Sequence, residues 1–180
     1  MTYIIYLTGK PGVGKYTIAK ALAQSCGFII CDNQLINNPI IELLEYDGYA
    51  NIPKFAWDSI AKIRSEIFNF LSIEKQKNYI LTNCLAQNES DREIFNQVEN
   101  MAKARGSIFV PIALCIKKDE HLMRLTNPDR LKRWKSIDPI NAEDKEPTLS
   151  IIHPNFLNIE ISNLSEREVA KIILDHMGIK

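Results

Sequence analysis

The stretch that decides the fold reads Gly9-Lys10-Pro11-Gly12-Val13-Gly14-Lys15-Tyr16-Thr17. An apolar run at 3–8 precedes it and an amphipathic segment follows it, which is the order of strand, glycine-rich loop and helix. Glycines let the backbone take positive φ angles and approach a phosphate closely. The loop amides and the positive helix start would face one anion, and Lys15 would reach β- and γ-phosphates. The stretch therefore predicts a nucleotide-binding phosphate loop, with contacts from Gly9, Pro11, Gly12, Val13, Gly14, Lys15, Tyr16 and Thr17.

One position of this loop departs from the usual pattern. A serine or threonine commonly follows the lysine and offers its hydroxyl to Mg²⁺, but here Tyr16 follows Lys15. A phenol is too long and rigid to replace a small hydroxyl at that place. Thr17 lies one step further along the helix, where we expect it to meet a phosphate. It is also the remaining candidate for a metal ligand in the loop.

Length and composition fit one domain, residues 1–180, with enough chain for a full core. Lys plus Arg and Asp plus Glu both number 22, which argues against a dedicated nucleic-acid or membrane-surface binder. The first apolar run has six residues, too few to span a membrane. The cysteines lack the close pairs of metal sites, and three fall in predicted strands. We therefore expect reduced core thiols in a cytoplasmic protein at Cys26, Cys31, Cys84 and Cys115.

Strands and helices alternate along the chain. Buried strands are predicted at 28–31, 79–85, 108–116 and 156–161, with helices between them. Such alternation favours an α/β fold with a parallel sheet covered on both faces. Pro111 lies inside the fourth strand and predicts an irregularity there, because proline cannot donate to a central ladder.

Polar side chains follow two of these strands, at the edge where ligands of parallel sheets bind. Asp32 follows the second strand and either caps the next helix, or faces the pocket, or does both. Thr82 and Asn83 stand where many ATPases carry an acidic residue that orders Mg²⁺, and this strand has no carboxylate. We predict that Asp32, Asn33 and Asn83 contact an acceptor substrate.

The long helix predicted for 54–73 carries an arginine on its apolar stripe. Arg64 lies between Ile60 and Ile67 at helical spacing. A guanidinium on an apolar face needs an exit to solvent or a partner. Arg64 therefore either extends to water past its neighbours or reaches into the pocket to pair with an anionic group. The sequence leaves both alternatives open.

The densest basic run of the chain covers 124–135. It has three readings: a solvated helix face, a lid whose cations neutralise a transferring phosphoryl group, or a nucleic-acid patch. Aromatic support for the last is limited to Trp134. The spacing around Asn127-Pro128 selects Arg124, Arg130 and Lys135 as lid cations.

A polar, proline-punctuated loop covers 136–155 and leads to the last strand. A loop in that place could border the base of a bound nucleotide, which makes His153 and Pro154 candidate cofactor contacts. His153 on its own is a loop residue that forms hydrogen bonds, and nothing around it indicates a catalyst.

Together these residues resemble the small P-loop kinases of the nucleoside-monophosphate and shikimate kinase type. The loop is similar to that of adenylate kinases, whose Gly-Lys-Gly-Thr run shows the same one-residue offset of the threonine. The chain is similar in particular to bacterial proteins labelled only as AAA-family ATPases or kinases. These resemblances depend on Asp32-Asn33-Gln34-Leu35, Leu81-Thr82-Asn83, Asn127-Pro128-Asp129-Arg130 with Lys135, and His153-Pro154-Asn155.

The resemblance implies a three-layer P-loop fold whose five-stranded parallel sheet has the order 2-3-1-4-5. It implies an acceptor-binding helical region at 33–75 and a small basic lid at 122–140. ATP with Mg²⁺ would be the donor complex, and the γ-phosphoryl group would pass to a small acceptor. By position Lys15 would hold β/γ-phosphate, Arg130 and Arg124 would stabilise transfer, and Asp32 would accept a proton from an acceptor hydroxyl. Thr82-Asn83 replaces the glycine-rich strand end of shikimate kinases, which argues against shikimate itself.

Three other functions compete with this interpretation. A GTPase-type switch predicts DxxG and NKxD elements after sheet strands, and neither follows a predicted strand here, which also favours ATP over GTP. A kinase of nucleic-acid ends would need a broader basic surface than one lid, and the balanced charge counts against it. A degenerate loop that binds nucleotide without catalysis stays open because of Tyr16 and the missing strand carboxylate. The sequence does not indicate an oligomeric state.

Overall fold

The computed structural model describes residues 1–143 and 147–179. Within that part of the chain the strands are β1 (Tyr3–Thr8), β2 (Ile29–Cys31), β3 (Tyr79–Thr82), β4 (Ile108–Cys115) and β5 (Leu157–Glu160). The α-helices are α1 (Lys15–Cys26), α2 (Asn33–Ile41), α3 (Lys54–Ile73), α4 (Glu89–Arg105), α5 (Lys118–Leu125) and α6 (Glu166–His176). Short 3₁₀-helices cover Pro128–Arg133 and Pro139–Ala142.

The sheet has five strands among the described residues, all parallel, in the order β2-β3-β1-β4-β5, which confirms the predicted topology. Alternate side chains of β1 point to opposite faces. Ile4 and Tyr6 join a core with α3 and α4, whereas Ile5 and Leu7 join a second core with α1 and α6. Burying each such aliphatic side chain stabilises the fold by roughly 1.5–3 kcal/mol. The central strand thus holds helices on both faces and fixes its own carboxyl end between them.

Two strand predictions need correction. β3 ends at Thr82 and not at residue 85, although the Asn83 amide still donates to the Leu7 carbonyl at 3.0 Å. The prediction of an irregular strand at Pro111 was wrong, because Pro111 pairs with Tyr6 inside an unbroken ladder to β1. The ladder to β5 begins only at Ile112, so no strand on that side needs the missing N–H of Pro111.

The prediction of core cysteines holds for Cys31 and is wrong for two others. Cys31 is buried and Cys26 is half-buried, but Cys84 and Cys115 are exposed. The reason is positional, since β3 ends before Cys84 and Cys115 is the last residue of β4. As for membranes, none of the helices in the described ranges has the length and apolar character needed to cross a bilayer.

Candidate functional site

A cavity of about 710 Å³ opens beyond the carboxyl ends of β1, β2 and β3. This volume falls in the range of small-molecule sites, and the position is the usual one for open parallel sheets. The phosphate loop forms one wall, and the opposite wall comes from residues 122–140, called the basic segment below. The cavity brings together most of the residues predicted from the sequence: Pro11, Gly12, Gly14, Lys15, Tyr16, Thr17, Asp32, Asn33, Asn83, Arg124, Arg130 and Lys135.

The backbone of the phosphate loop requires its glycines. Gly9, Gly12 and Gly14 have φ angles of 138°, 89° and 102°. A Cβ on Gly9 would lie 2.5 Å from the Leu114 carbonyl oxygen, so the loop lies directly against the end of β4. Gly14 precedes α1, and no side chain within the described residues caps that helix start. Its amides therefore remain available to an anion.

Lys15 folds back over the loop. Its Nζ donates to the carbonyl oxygens of Gly9 at 2.6 Å and Lys10 at 2.9 Å. Burial lowers the Lys15 pKa to about 8, and the nearby Arg130 charge adds to that effect. A phosphate beside the ammonium would favour the charged form and reverse the shift. The Val13 side chain is buried, and its carbonyl oxygen accepts from Arg124 Nη1 at 3.4 Å.

Asp32 takes both roles that the sequence left open. It is 4% exposed, and its Oδ1 accepts from the Leu35 amide at 3.2 Å, which caps α2. Its Oδ2 accepts from Arg133 Nη2 at 2.9 Å across the cavity. The Arg133 guanidinium also stacks on the Tyr16 ring, with its Cζ 3.4 Å from the ring centre. The carboxylate is therefore anchored at the cavity wall and paired with a cation of the basic segment.

Three further cations of the basic segment surround the same space. Arg130 Nε donates to the Ser136 carbonyl at 3.0 Å, and burial lowers its pKa. Burial lowers the Lys135 pKa to about 8, helped by the adjacent Arg133 charge. Arg124 forms an ion pair with Glu120. So many cations around one cavity predict an anionic ligand, because such a ligand would relieve their mutual repulsion.

Amide side chains line the opposite end of the cavity. The backbone N–H of Asn33 donates to Thr82 Oγ1 at 3.2 Å, and the side-chain Oδ1 of Asn83 accepts from the Cys84 backbone N–H at 2.8 Å. Asn37 Oδ1 is buried and has no hydrogen-bond partner among the residues described. An unpartnered buried acceptor is rare in native proteins and indicates a donor supplied by a ligand or a water. Asn37 carried no signal in the sequence, because an asparagine inside a helix usually faces solvent.

Besides Gly9 and Val13 of the loop, which do not line the cavity, three predicted site residues lie elsewhere in the fold. Arg64 is half-buried within the α3 core side, near Tyr6 and Asp91, where burial lowers its pKa. His153 packs edge-on against Phe109, with ring centroids 5.3 Å apart, and Pro154 follows it. Both precede β5, and residues before a parallel strand lie at the amino edge of the sheet, away from the site. Ile161 and Leu164, which follow β5, line the cavity instead.

The donor set does not fit a metal ion held by the protein itself. Across residues 1–143 and 147–179 no three His, Cys, Asp or Glu side chains gather as metal ligands. Tyr16 occupies the usual place of the metal-binding hydroxyl, and β3 ends in Thr82 and Asn83. Asp32 already pairs with Arg133. Thr17 lines the cavity and is the loop hydroxyl that remains.

Comparisons with known proteins agree with this fold. The chain resembles a gluconokinase from Sinorhizobium meliloti 1021 at a TM-score of 0.64 and 14% identity, over 97% of this chain and 90% of that one. It resembles a sugar kinase from Janibacter sp. HTCC2649 at a TM-score of 0.62 and 14% identity, over 99% and 96%. It resembles a shikimate kinase from Acinetobacter baumannii in complex with shikimate at a TM-score of 0.57 and 18% identity, over 98% of this chain and 93% of that one. At these identities the similarity shows a shared fold.

No curated protein matches the sequence. A family model described as an AAA domain, AAA_18, matches residues 5–146, which is well over half of the 180 residues and includes the phosphate loop, Asp32 and the basic segment. The chain therefore belongs to the AAA domain family AAA_18.

Proposed function

We propose that this protein is an ATP-dependent phosphotransferase that moves the γ-phosphoryl group of ATP to a small-molecule acceptor. The observation that carries the proposal is the convergence on one cavity of an uncapped helix start with Lys15, a buried carboxylate at Asp32, and the cations of the basic segment. Phosphoryl transfer depends mainly on positioning and electrostatic stabilisation, and these groups supply both.

In the proposed reaction Lys15 and the loop amides hold the β- and γ-phosphates. An acceptor hydroxyl oxygen bonds to the γ-phosphorus while the bond from that phosphorus to the β,γ-bridging oxygen breaks, and ADP leaves with the electron pair. The proton of the hydroxyl passes to Asp32. Arg130 and Arg124 stabilise the charge on the transferring group. Mg²⁺ would accompany ATP, bound to phosphates and water, because the protein offers no carboxylate set for it among the described residues.

The two ends of the cavity suit two ligands. Ile161 and Leu164 offer apolar surface beside the phosphate loop, where a base would lie. ATP is the proposed donor because no guanine-reading NKxD element occurs after a strand. The acceptor would lie toward Asn33, Asn37 and Asn83, within reach of the helical region 33–75. The basic segment would act as the lid, in a single cytoplasmic domain spanning 1–180.

One observation favours a second candidate, a nucleotide-binding protein with little catalysis. The Asp32 carboxylate, the proposed base, is ion-paired to Arg133 at 2.9 Å. Each Asp32 oxygen already accepts a hydrogen bond, Oδ2 from Arg133 and Oδ1 from the Leu35 amide, so the carboxylate is occupied before an acceptor hydroxyl arrives. Catalysis then requires Arg133 to move from Asp32 toward the phosphates when both ligands are bound.

The first test is the midpoint of thermal unfolding with ATP, ADP and GTP, each with Mg²⁺ or with EDTA. A ligand at about 100 times its dissociation constant adds about 2.7 kcal/mol to the stability of the folded state. We expect a clear rise with ATP and ADP and a smaller one with GTP. No rise with any nucleotide would refute nucleotide binding.

The second test follows ATP labelled at the γ-phosphate into a panel of hydroxyl-bearing small molecules and, separately, into DNA and RNA ends. Label in a small molecule supports the proposed phosphotransferase. Label only in nucleic-acid ends would replace it with the end-kinase alternative. Binding of ATP with no transfer to either panel would favour the nucleotide-binding protein.

A further inference from the structure

We propose that Tyr16 is a positioning residue whose ring holds Arg133 and Lys135 over the phosphate loop, so that these cations supply charge that loop-bound Mg²⁺ supplies elsewhere. This inference rests on the ATP binding proposed above. It concerns the one loop position that departs from the usual pattern, and it assigns that departure a purpose.

Three cations lie over the Tyr16 ring. The Arg133 guanidinium lies 3.4 Å from the ring centre, and the Nζ atoms of Lys135 and Lys20 lie 5.1 Å and 5.5 Å from it. A cation within about 6 Å of an aromatic centre is attracted by the negative face of the ring. Tyr16 is the second residue of α1, so the ring is anchored beside Lys15. The ring therefore gives the cations of the basic segment a fixed support next to the phosphate position.

Arg133 retains capacity for a ligand in this arrangement. Its Nη2 donates to Asp32, whereas its Nη1 is buried without a hydrogen-bond partner among the described residues. A buried guanidinium nitrogen without a partner is uncommon in native structures. Phosphate oxygens suit it, because a planar guanidinium binds them through two parallel hydrogen bonds. The stacked arginine thus stands ready for an anion beside Lys15.

A side chain of α2 holds the backbone of the basic segment in place beside this ring. Gln34 Nε2 of α2 donates to the carbonyl oxygens of Arg133 at 3.1 Å and Trp134 at 3.3 Å. Those bonds hold the backbone of the basic segment, while the ring and Asp32 hold the Arg133 side chain. A ligand can therefore take over from Asp32 without releasing the segment from α2.

Three substitutions at one position test this role. Tyr16→Phe keeps the ring and removes the hydroxyl, Tyr16→Leu removes the ring, and Tyr16→Thr restores a small hydroxyl after Lys15. The measurement is the ATP dissociation constant by calorimetry, with Mg²⁺ and with EDTA, after the thermal midpoint has shown that each unliganded variant is folded.

We expect wild-type affinity for ATP to change by less than about threefold when Mg²⁺ is removed, and Tyr16→Phe to behave alike. Tyr16→Leu is expected to lose about tenfold in both conditions, the usual size of a partly desolvated cation–π contact. Tyr16→Thr is expected to lose affinity in EDTA and to regain it with Mg²⁺. Arg133→Met combined with Tyr16→Leu should cost less than the sum of the two single losses, because the ring acts in part through Arg133.

Equal affinities of Tyr16→Leu and Tyr16→Phe would overturn the inference, as would a wild-type affinity that collapses in EDTA. Additive losses in the double variant would do the same, since the two side chains would then act separately. Each of these results leaves wild-type ATP binding in place and spares the proposed function. A wild-type protein that binds no ATP in either condition overturns both.

Discussion

The phosphate loop and the basic segment face each other across one cavity, but different forces hold them. The loop is determined by its backbone, with positive φ at Gly9, Gly12 and Gly14 and close packing against the end of β4 and against α5. The basic segment has little core of its own, and its first 3₁₀-helix, Pro128–Arg133, has no buried residue. It is attached by the Arg133 side chain, which reaches Asp32 and Tyr16, and by the Arg133 backbone carbonyl, which accepts from the Gln34 side-chain amide.

This difference suggests that the phosphate loop and the basic segment have different roles. Steric packing cannot be exchanged for contacts to a ligand, so we expect the loop to act as a permanent anion receptor. Ion pairs and stacked cations can be exchanged, because a phosphate offers Arg133 the same charge that Asp32 offers. We therefore expect damage to the loop to remove binding, and damage to the basic segment to remove turnover while weakening binding by about tenfold at most.

The largest effect is expected for Lys15→Ala. The Lys15 ammonium is the charge closest to the loop amides, where it donates to the Gly9 and Lys10 carbonyls. Its loss should weaken ATP binding about 1,000-fold, or about 4 kcal/mol. Calorimetry measures the affinity, and Lys62→Ala on the exposed face of α3 is the matched control. Retention of wild-type affinity by Lys15→Ala would remove the loop from the site.

Arg130→Ala tests whether the basic segment serves turnover more than binding. Arg130 contacts the Ser136 carbonyl and lines the cavity, but it does not touch the loop backbone in any hydrogen bond found among the described residues. We expect ATP affinity to stay within about threefold and turnover to fall about 100-fold, as when one stabilising donor is removed. Lys132→Ala is the control, since that side chain is 77% exposed. A parallel loss of affinity and turnover would make Arg130 part of the receptor.

Glycine substitutions sharpen the claim that packing holds the loop. Gly9→Ala places a Cβ 2.5 Å from the Leu114 carbonyl oxygen, whereas Gly106→Ala, at a helix end with φ of 72°, meets nothing within 4 Å. Gly106→Ala should cost about 1 kcal/mol of unfolding free energy for its left-handed backbone. Gly9→Ala should cost about 2 kcal/mol more, because strain and a backbone clash are added. Urea unfolding measures the loss of unfolding free energy in each variant. Equal losses for Gly9→Ala and Gly106→Ala would show that the loop can move away from the Leu114 carbonyl at little cost.

The sequence predicts the phosphate loop better than it predicts the basic segment, because the loop depends on local signals and the segment does not. The loop, α1 and the bounds of α3 could be predicted because their signals are local: glycines, a lysine, and apolar spacing over one helix. Arg133 could not be selected from its neighbours. Arg130, Lys132, Arg133 and Lys135 are alike as a sequence, and only the 3₁₀ geometry sends Lys132 to solvent and Arg133 to Tyr16.

The end of the cavity near β5 was also not predicted from the sequence, for a second reason. His153 and Pro154 drew attention because they are chemically distinctive, yet they precede β5 and lie away from the cavity. Ile161 and Leu164 follow β5 and line it, but apolar residues beside a strand look like any other core. Strand direction decides which end of a segment faces a ligand, and it becomes evident only once the sheet is assembled.

The smallest effect is expected from pH, and it has opposite signs for binding and for stability. Lys15 and Lys135 have pKa values of about 8 in the free protein, lowered mainly by burial. Bound phosphate raises these pKa values, so ATP binding takes up protons and should weaken about tenfold between pH 7 and 9.

In the unfolded chain lysine titrates near 10.4, so the unfolded state binds more protons between pH 8 and that value. The contribution of both lysines to the stability of the free protein therefore rises with pH over that window. Calorimetric affinity and urea unfolding at pH 7 and 9, repeated with Lys135→Met, measure both trends. An affinity independent of pH in wild type would mean that neither lysine meets the phosphates, and that the receptor consists of backbone amides and arginines alone.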